Sequence, residues 1–222
     1  MKYIAGIFVA VLVSLVGASA AQALDITSVG NAFPDGPYEQ AAGEVPNYVN
    51  PVDGNGPHNL IAEDDGPDGE PLFSSDFYVP TGSTSPIAGA QYLSPGTYHF
   101  VCTIHPGMES DLKVTGGTPV ARPEIKLTIP SQKLKKVRKS GKLKVDVKGV
   151  HAATGVDLEV DKGTKAIGAA SDLSVDTGKT LKLSIALTSA GKKAIKKGKK
   201  VTVSAQGSVP FGSPKSAKST LR

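Results

Sequence analysis

The chain has 222 residues, among them 25 Gly, 16 Pro, one Cys and no Trp, with a formal charge of +5 at pH 7. Abundant turn residues favour many short strands over helices, and a single Cys excludes an intrachain disulfide framework. The modest net charge hides a division: 13 Asp and Glu stand against one Lys from Leu24 to Val114, whereas 23 Lys and Arg stand against 7 acids from Thr115 to Arg222.

Met1-Lys2-Tyr3 is followed by an apolar run from Ile4 to Val16 and by small residues, Ala18-Ser19-Ala20 and Ala21-Gln22-Ala23. A charged start, a run too short to span a bilayer comfortably and an Ala-x-Ala pattern predict a signal peptide over residues 1–23, cleaved after Ala23 or Ala20. The expected mature protein is secreted or associated with the cell envelope and has no transmembrane segment. The opposite charges of the two halves predict two units with different partners, at 24–114 and 124–222. The Gly- and Pro-rich stretch at 115–123 is suited to a linker.

In the first unit, strands are predicted at Asp25–Ala32, Asn47–Val49, Asn59–Ala62, Gly96–Cys102 and Ser110–Val114. Pro34-Asp35-Gly36-Pro37, Asp53-Gly54-Asn55-Gly56-Pro57 and the stretch from Asp64 to Gly69 read as turns or loops. Alternation along Gly96–Cys102 sets Tyr98, Phe100 and Cys102 on one face, read as inward, and His99 and Val101 on the other. His99 is therefore expected at the surface.

The run Cys102-Thr103-Ile104-His105-Pro106-Gly107-Met108 places a thiol, an imidazole and a thioether within seven residues. A second imidazole is available at His58, in Gly56-Pro57-His58-Asn59-Leu60. Two His, one Cys and a weak axial Met are the donor set of a blue copper site. Thiolate and thioether suit Cu(I) and imidazole suits Cu(II), so the mixed set serves both oxidation states. Four protein donors leave no open position for a substrate, and the chain is not expected to be an enzyme. An inert buried thiol is the plainer alternative for Cys102. Zinc is another, although a thioether is a poor zinc ligand. Only four His occur, at 58, 99, 105 and 151, too few for a type 1 site beside a three-copper cluster.

These residues resemble the cupredoxins of the plastocyanin, amicyanin and pseudoazurin kind. The resemblance covers residues 24–114. It rests on Pro57-His58-Asn59, on Gly96-Thr97-Tyr98-His99-Phe100-Val101-Cys102, and on the short amicyanin-like spacing from Cys102 through His105 to Met108. Asn50-Pro51 and Phe73-Ser74 also look like family features. The resemblance implies an all-β fold, an antiparallel Greek-key sandwich, with one type 1 copper ion held by His58, Cys102, His105 and Met108. It further implies that Asn59 ties the His58 segment to the Cys102 loop. The family usually has a Gly before its last strand, whereas here Glu109-Ser110-Asp111 follows Met108.

From Glu124 onward, alternation of Lys with apolar residues predicts a second, small basic β-sandwich. Its strands are expected at Ile125–Ile129, Lys142–Val147, Leu158–Val160, Leu181–Leu187 and Val201–Ser204. Thr188 to Gly198 reads as a short helix with Ser189 as N-cap and Gly198 as the C′ residue that ends it. Lysines cluster at 133–139 and 192–200, where a solvated strand face and attachment to anionic cell-envelope polymers compete. No aromatic platform accompanies them, which argues against nucleic acid. His151 is expected exposed in a loop. This half loosely resembles the basic β-domains that end many secreted actinobacterial proteins.

The functional expectation is an extracytoplasmic carrier of single electrons between redox partners such as a cytochrome. The alternative is a copper-binding or delivery module attached to the cell envelope through the basic half. The acids Glu63, Asp64, Asp65, Asp68 and Glu70 are expected either to steer a basic partner or simply to confer solubility.

Overall fold

The computed structural model describes residues 23–222. The expected signal peptide at 1–23 lies, but for Ala23, outside the described residues. The chain forms β1 (Asp25–Thr27), β2 (Tyr38–Ala42), β3 (Asn47–Asn50), β4 (Ile61–Ala62), β5 (Ser83–Pro86), β6 (Gly96–Val101) and β7 (Glu109–Gly117), with a 3₁₀ turn at Ala90–Tyr92 before β6. It continues through β8 (Glu124–Thr128), α1 (Leu134–Ser140), β9 (Lys142–His151), β10 (Ala153–Lys162), β11 (Lys165–Val175) and β12 (Thr180–Ala186). The last elements are α2 (Ser189–Ile195), β13 (Val201–Val209) and β14 (Gly212–Leu221). The fold is all-β with two short helices.

In the first half, a three-stranded sheet β1-β3-β5 faces a four-stranded sheet β2-β7-β6-β4. Inward residues of both sheets meet in one apolar cluster built around Ile26, Tyr48, Leu60, Phe73, Phe100 and Leu112, all fully buried. Phe33 meets Phe100 edge to face at 5.0 Å between ring centroids, a geometry aromatic pairs prefer. The sheets are mixed, which departs from the antiparallel expectation: β1 runs parallel to β3, and β2 parallel to β7. β2 and β5 were not evident in the sequence. Ser83-Thr84-Ser85-Pro86 has little apolar content, and only its pairing with β3 makes it a strand.

The second half has its own apolar cluster, from Ile125 to Leu221. It lies between the sheets β12-β9-β8 and β11-β10-β13-β14. Alternation along β9 is regular: Leu143, Val145 and Val147 are buried, while Lys142, Lys144 and Lys148 are exposed. Three expectations are corrected here. The lysine cluster at 133–139 belongs to α1 and not to a strand face, because Leu134 and Val137 bury one helical stripe beneath the exposed lysines. Thr188, not Ser189, caps α2: its hydroxyl accepts from the Gly191 N–H at 2.9 Å. α2 ends at Ile195, ahead of Gly198. β11 and β14 were unread because small and polar residues dominate them.

The halves meet at the tip of the β13–β14 hairpin. The Phe211 ring lies 5.7 Å from that of Tyr92, and the Arg122 guanidinium sits 5.6 Å above Tyr92. The Phe211 N–H donates to Asp68, and Arg122 donates to the Phe211 carbonyl at 3.3 Å. The stretch at 115–123 is partly strand, since β7 runs on to Gly117, and Val120 is bonded to the Gln91 carbonyl. His151 ends β9 half-buried, beside Pro67 and Arg122 in the crevice between the halves, rather than exposed in a loop.

Candidate metal centre

Cys102 follows β6 directly, and strand alternation turns its side chain to the same side as Phe100, where it is 4% exposed. The Cys102 N–H donates to the Met108 carbonyl at 2.8 Å, and the Met108 N–H to the His105 carbonyl at 3.3 Å. Gly107, with φ +75°, supplies the left-handed residue that this tight loop needs. Met108 is thereby folded back into the core, 1% exposed. Glu109 pairs with Val101, so β7 begins immediately after Met108.

His58 arrives from the other side. Its backbone exchanges two hydrogen bonds with Val79, at 3.2 and 3.0 Å. The loop before it is braced by Asn50, fully buried, whose amide donates to the Gly56 and Val79 carbonyls at 2.9 Å each. Gly56 takes φ +108° in that loop. Asn59 then joins the His58 segment to the loop that carries Cys102 and His105. Its Oδ1 accepts from the Thr103 N–H at 2.8 Å, and its Nδ2 donates to Thr103 Oγ1 at 2.8 Å and to the Phe77 carbonyl at 3.0 Å.

The result is convergence. Cys102 Sγ lies 3.8 Å from His58 Nδ1 and 3.7 Å from His105 Nδ1. All three donor atoms fall within 4.8 Å of one another, and the imidazole centroids are 4.5 Å apart. A metal ion bonded at about 2.3 Å to sulfur and about 2.0 Å to nitrogen, at a trigonal angle, holds S and N roughly 3.7 Å apart. The residues therefore fit such an ion without rearrangement. Among the described residues this is the one group of at least three His, Cys, Asp or Glu side chains so arranged.

The electrostatics agree with that use. Burial, and secondarily the neighbouring His105, pushes the His58 imidazole below its ordinary value of 6.5. It is thus neutral at neutral pH, the form in which an imidazole can bind a metal. Burial holds the Tyr48 phenol up at about 12, against the lowering effect of its hydrogen bond with Ser28 at 2.9 Å. His99 stands outside the site as expected: its ring bonds Asp111 at 2.9 Å on the sheet's outer side. His105 is half-buried beside exposed Pro106 and Gly107.

Two features went unread in the sequence. Thr103 completes the Asn59 link, and the only sequence cue was a hydroxyl residue directly after Cys102. Phe77 and Tyr78 are 73% and 61% exposed on the segment that braces His58 and Asn59, and Val52 is 86% exposed in the neighbouring loop. Of the five acids after β4, four are exposed, but Asp68 is engaged by Phe211.

No family model matches the chain, and no curated protein matches it. Solved structures of amicyanin, one of the cupredoxins that residues 24–114 resemble, do match. Amicyanin from Paracoccus versutus shares 20% identity over 44% of this chain and 86% of its own, with a TM-score of 0.34. The oxidised state of one amicyanin variant shares 16% identity, and the reduced Cu(I) form of another 19%. Each covers 44% of this chain and 87% of its own, with a TM-score of 0.35.

Proposed function

We propose that residues 24–114 hold one type 1 copper ion through His58, Cys102 and His105, with Met108 as weak axial donor, and that the protein carries single electrons between redox partners outside the cytoplasm. The observation that supports this most is the Cys102 sulfur with an imidazole nitrogen at 3.7 Å and another at 3.8 Å. A copper ion bound there supplies a one-electron couple, tuned by the axial donor and by the surroundings of the sulfur. The chain's part is to hold the donors still. Asn59, Asn50 and the Cys102–Met108 backbone bond fix both ligand loops to the sandwich, so little needs to move when the charge at the centre changes. The buried donors also keep water from the thiolate.

His105 is the exit for the electron in this reading, since it is the half-buried donor beside exposed residues. Exposed Val52, Phe77 and Tyr78 offer apolar area to a docking partner. Glu63, Asp64, Asp65 and Glu70 offer charge that would speed the approach of a basic one, such as a cytochrome. Cu(II) titration tests the site. The native chain binds one equivalent and develops an intense visible sulfur-to-copper absorption, whereas Cys102→Ser develops none. A Cys102→Ser variant that stays intensely coloured would falsify the assignment.

The second reading, a module that delivers copper while anchored through the basic half, draws on the cluster of exposed lysines there. Reversible voltammetry of the copper-loaded chain favours the carrier. Rapid loss of copper to a mild chelator, without electron exchange, favours delivery.

A further inference from the structure

The outer face of the sheet β12-β9-β8 is cationic by construction. The alternation that buries Leu143, Val145 and Val147 turns Lys142, Lys144 and Lys148 to solvent. Strand register then sets Lys182 beside Asp146, and Lys126 directly opposite Lys148. Like charges facing each other across a strand pair destabilise a sheet. α1 lies along the edge of this face. Between them runs a groove of about 1000 Å³, lined by Lys133, Lys136, Lys139, Lys142, Lys144 and Lys182, with Asp146 the one carboxylate.

None of these six ammonium groups has a carboxylate within ion-pair distance among the described residues; the lysines that do are Lys113 and Lys215. Solubility alone is served by mixed signs spread over a surface, and a single sign gathered in a groove adds self-repulsion. The type of cation also matters. Arg138, the arginine of α1, is tied to the Ile195 and Gly198 carbonyls at 2.8 and 2.7 Å, so the groove presents ammonium groups without guanidinium. Lysines act as compact point charges suited to phosphate and lack the planar fork of arginine. No aromatic side chain lines the groove to stack a base.

We propose that this groove binds a linear, non-nucleic polyanion: a polymer of small polyols joined by phosphodiester bonds, held by its repeating charge. Charge complementarity selects a polyanion, repeated phosphate matches compact ammonium donors, and the absence of stacking and forked donors disfavours nucleic acid. The proposal is independent of the copper site.

The test uses the full chain and labelled poly(glycerol phosphate), followed by fluorescence anisotropy over a salt series. The native chain binds, and its affinity falls steeply with salt. Lys136→Glu/Lys144→Glu weakens binding at least about ten-fold and flattens the salt slope by roughly 0.7 for each phosphate that is no longer neutralised. Lys165→Glu/Lys218→Glu, the same charge change on the other sheet, alters affinity by less than about two-fold. Failure to bind the polymer overturns the proposal. So does equal weakening by both double variants, which makes the effect one of diffuse charge, or tighter binding of an oligothymidylate or of polyglutamate at equal charge.

Discussion

At the scale of single residues, two imidazoles of the first half titrate in opposite senses. His99 is held above its ordinary 6.5 mainly by its hydrogen bond to Asp111, with Glu63, Asp111 and Glu109 adding charge. The folded state therefore binds that proton more tightly than the unfolded chain. The resulting stabilisation is complete below the unfolded value and vanishes as pH rises through the folded one. His58, lowered by burial, has the reverse effect in metal-free protein: below about pH 6.5 the unfolded chain takes up a proton that the folded state resists. Comparing metal-free wild type with His99→Gln cancels the His58 contribution. The wild type's advantage in urea midpoint should be largest near about pH 5.5 and shrink toward about pH 8. An advantage that grows with pH would contradict the Asp111 pairing. His99 was legible as a surface residue from strand alternation alone. Its acidic neighbours on β7 were not, since they arrive through register with a strand ten residues further on.

At the scale of elements, the site is two loops pinned to each other. Asn59 joins the segment entering β4 to the loop between β6 and β7 with two hydrogen bonds to Thr103, and a third, to the Phe77 carbonyl, ties it to the segment before β5. Asn59→Ala strips the Thr103 N–H and the Phe77 carbonyl of their partner, a loss of about 2 kcal/mol in stability. Freed loops also hold the donors less firmly, so copper affinity should fall by about 10- to 100-fold. Denaturant unfolding of the metal-free chain and competitive copper titration measure the two effects separately. A variant that loses stability yet keeps full affinity would show Asn59 to be a strut of the fold alone. The elements themselves were unevenly readable. β6 and β9 announce themselves by strict alternation, whereas β2, β5, β11 and β14 become strands only because a neighbour completes their backbone hydrogen bonds. α1 was hidden for another reason. Its lysines dominate the local text, and the apolar residues that mark its buried stripe, Leu134 and Val137, are a single i, i+3 pair, too short a pattern to establish a helical period. Part of its N-terminal capping is supplied from afar, by the Arg222 carbonyl, which accepts from the Leu134 N–H at 2.7 Å.

At the scale of the whole molecule, opposite charges are joined through few contacts. The acidic half and the basic half each enclose their own core, and the described contacts between them centre on Phe211, Tyr92, Arg122 and Asp68. Phe211 adopts φ +62°, unusual for a bulky residue, and Gly89 leaves the room its ring occupies. A joint this small should depend on that ring. Phe211→Ala removes an aromatic pairing of about 1 kcal/mol and frees the halves to reorient. NMR relaxation of the full chain should then show two rotational correlation times where the wild type shows one. A variant that tumbles as a single body would place the coupling elsewhere. Because the hairpin tip occupies Asp68, only part of the acidic loop remains for a partner, and the groove beside α1 is served by the opposite sheet of the basic half.

The linear chain alone carries the donor types, their spacing within the Cys102–Met108 run and the alternation that turns Cys102 inward, because ligand chemistry and strand periodicity are local properties. It also determined the division of charge. Tertiary structure alone decided that His58 comes within 3.8 Å of a thiol 44 residues away, that Thr103 answers Asn59, and that lysines from α1, β9 and β12 share one groove. Each of these depends on strand register and loop closure between distant segments, and no local pattern encodes the pairing of one strand with another.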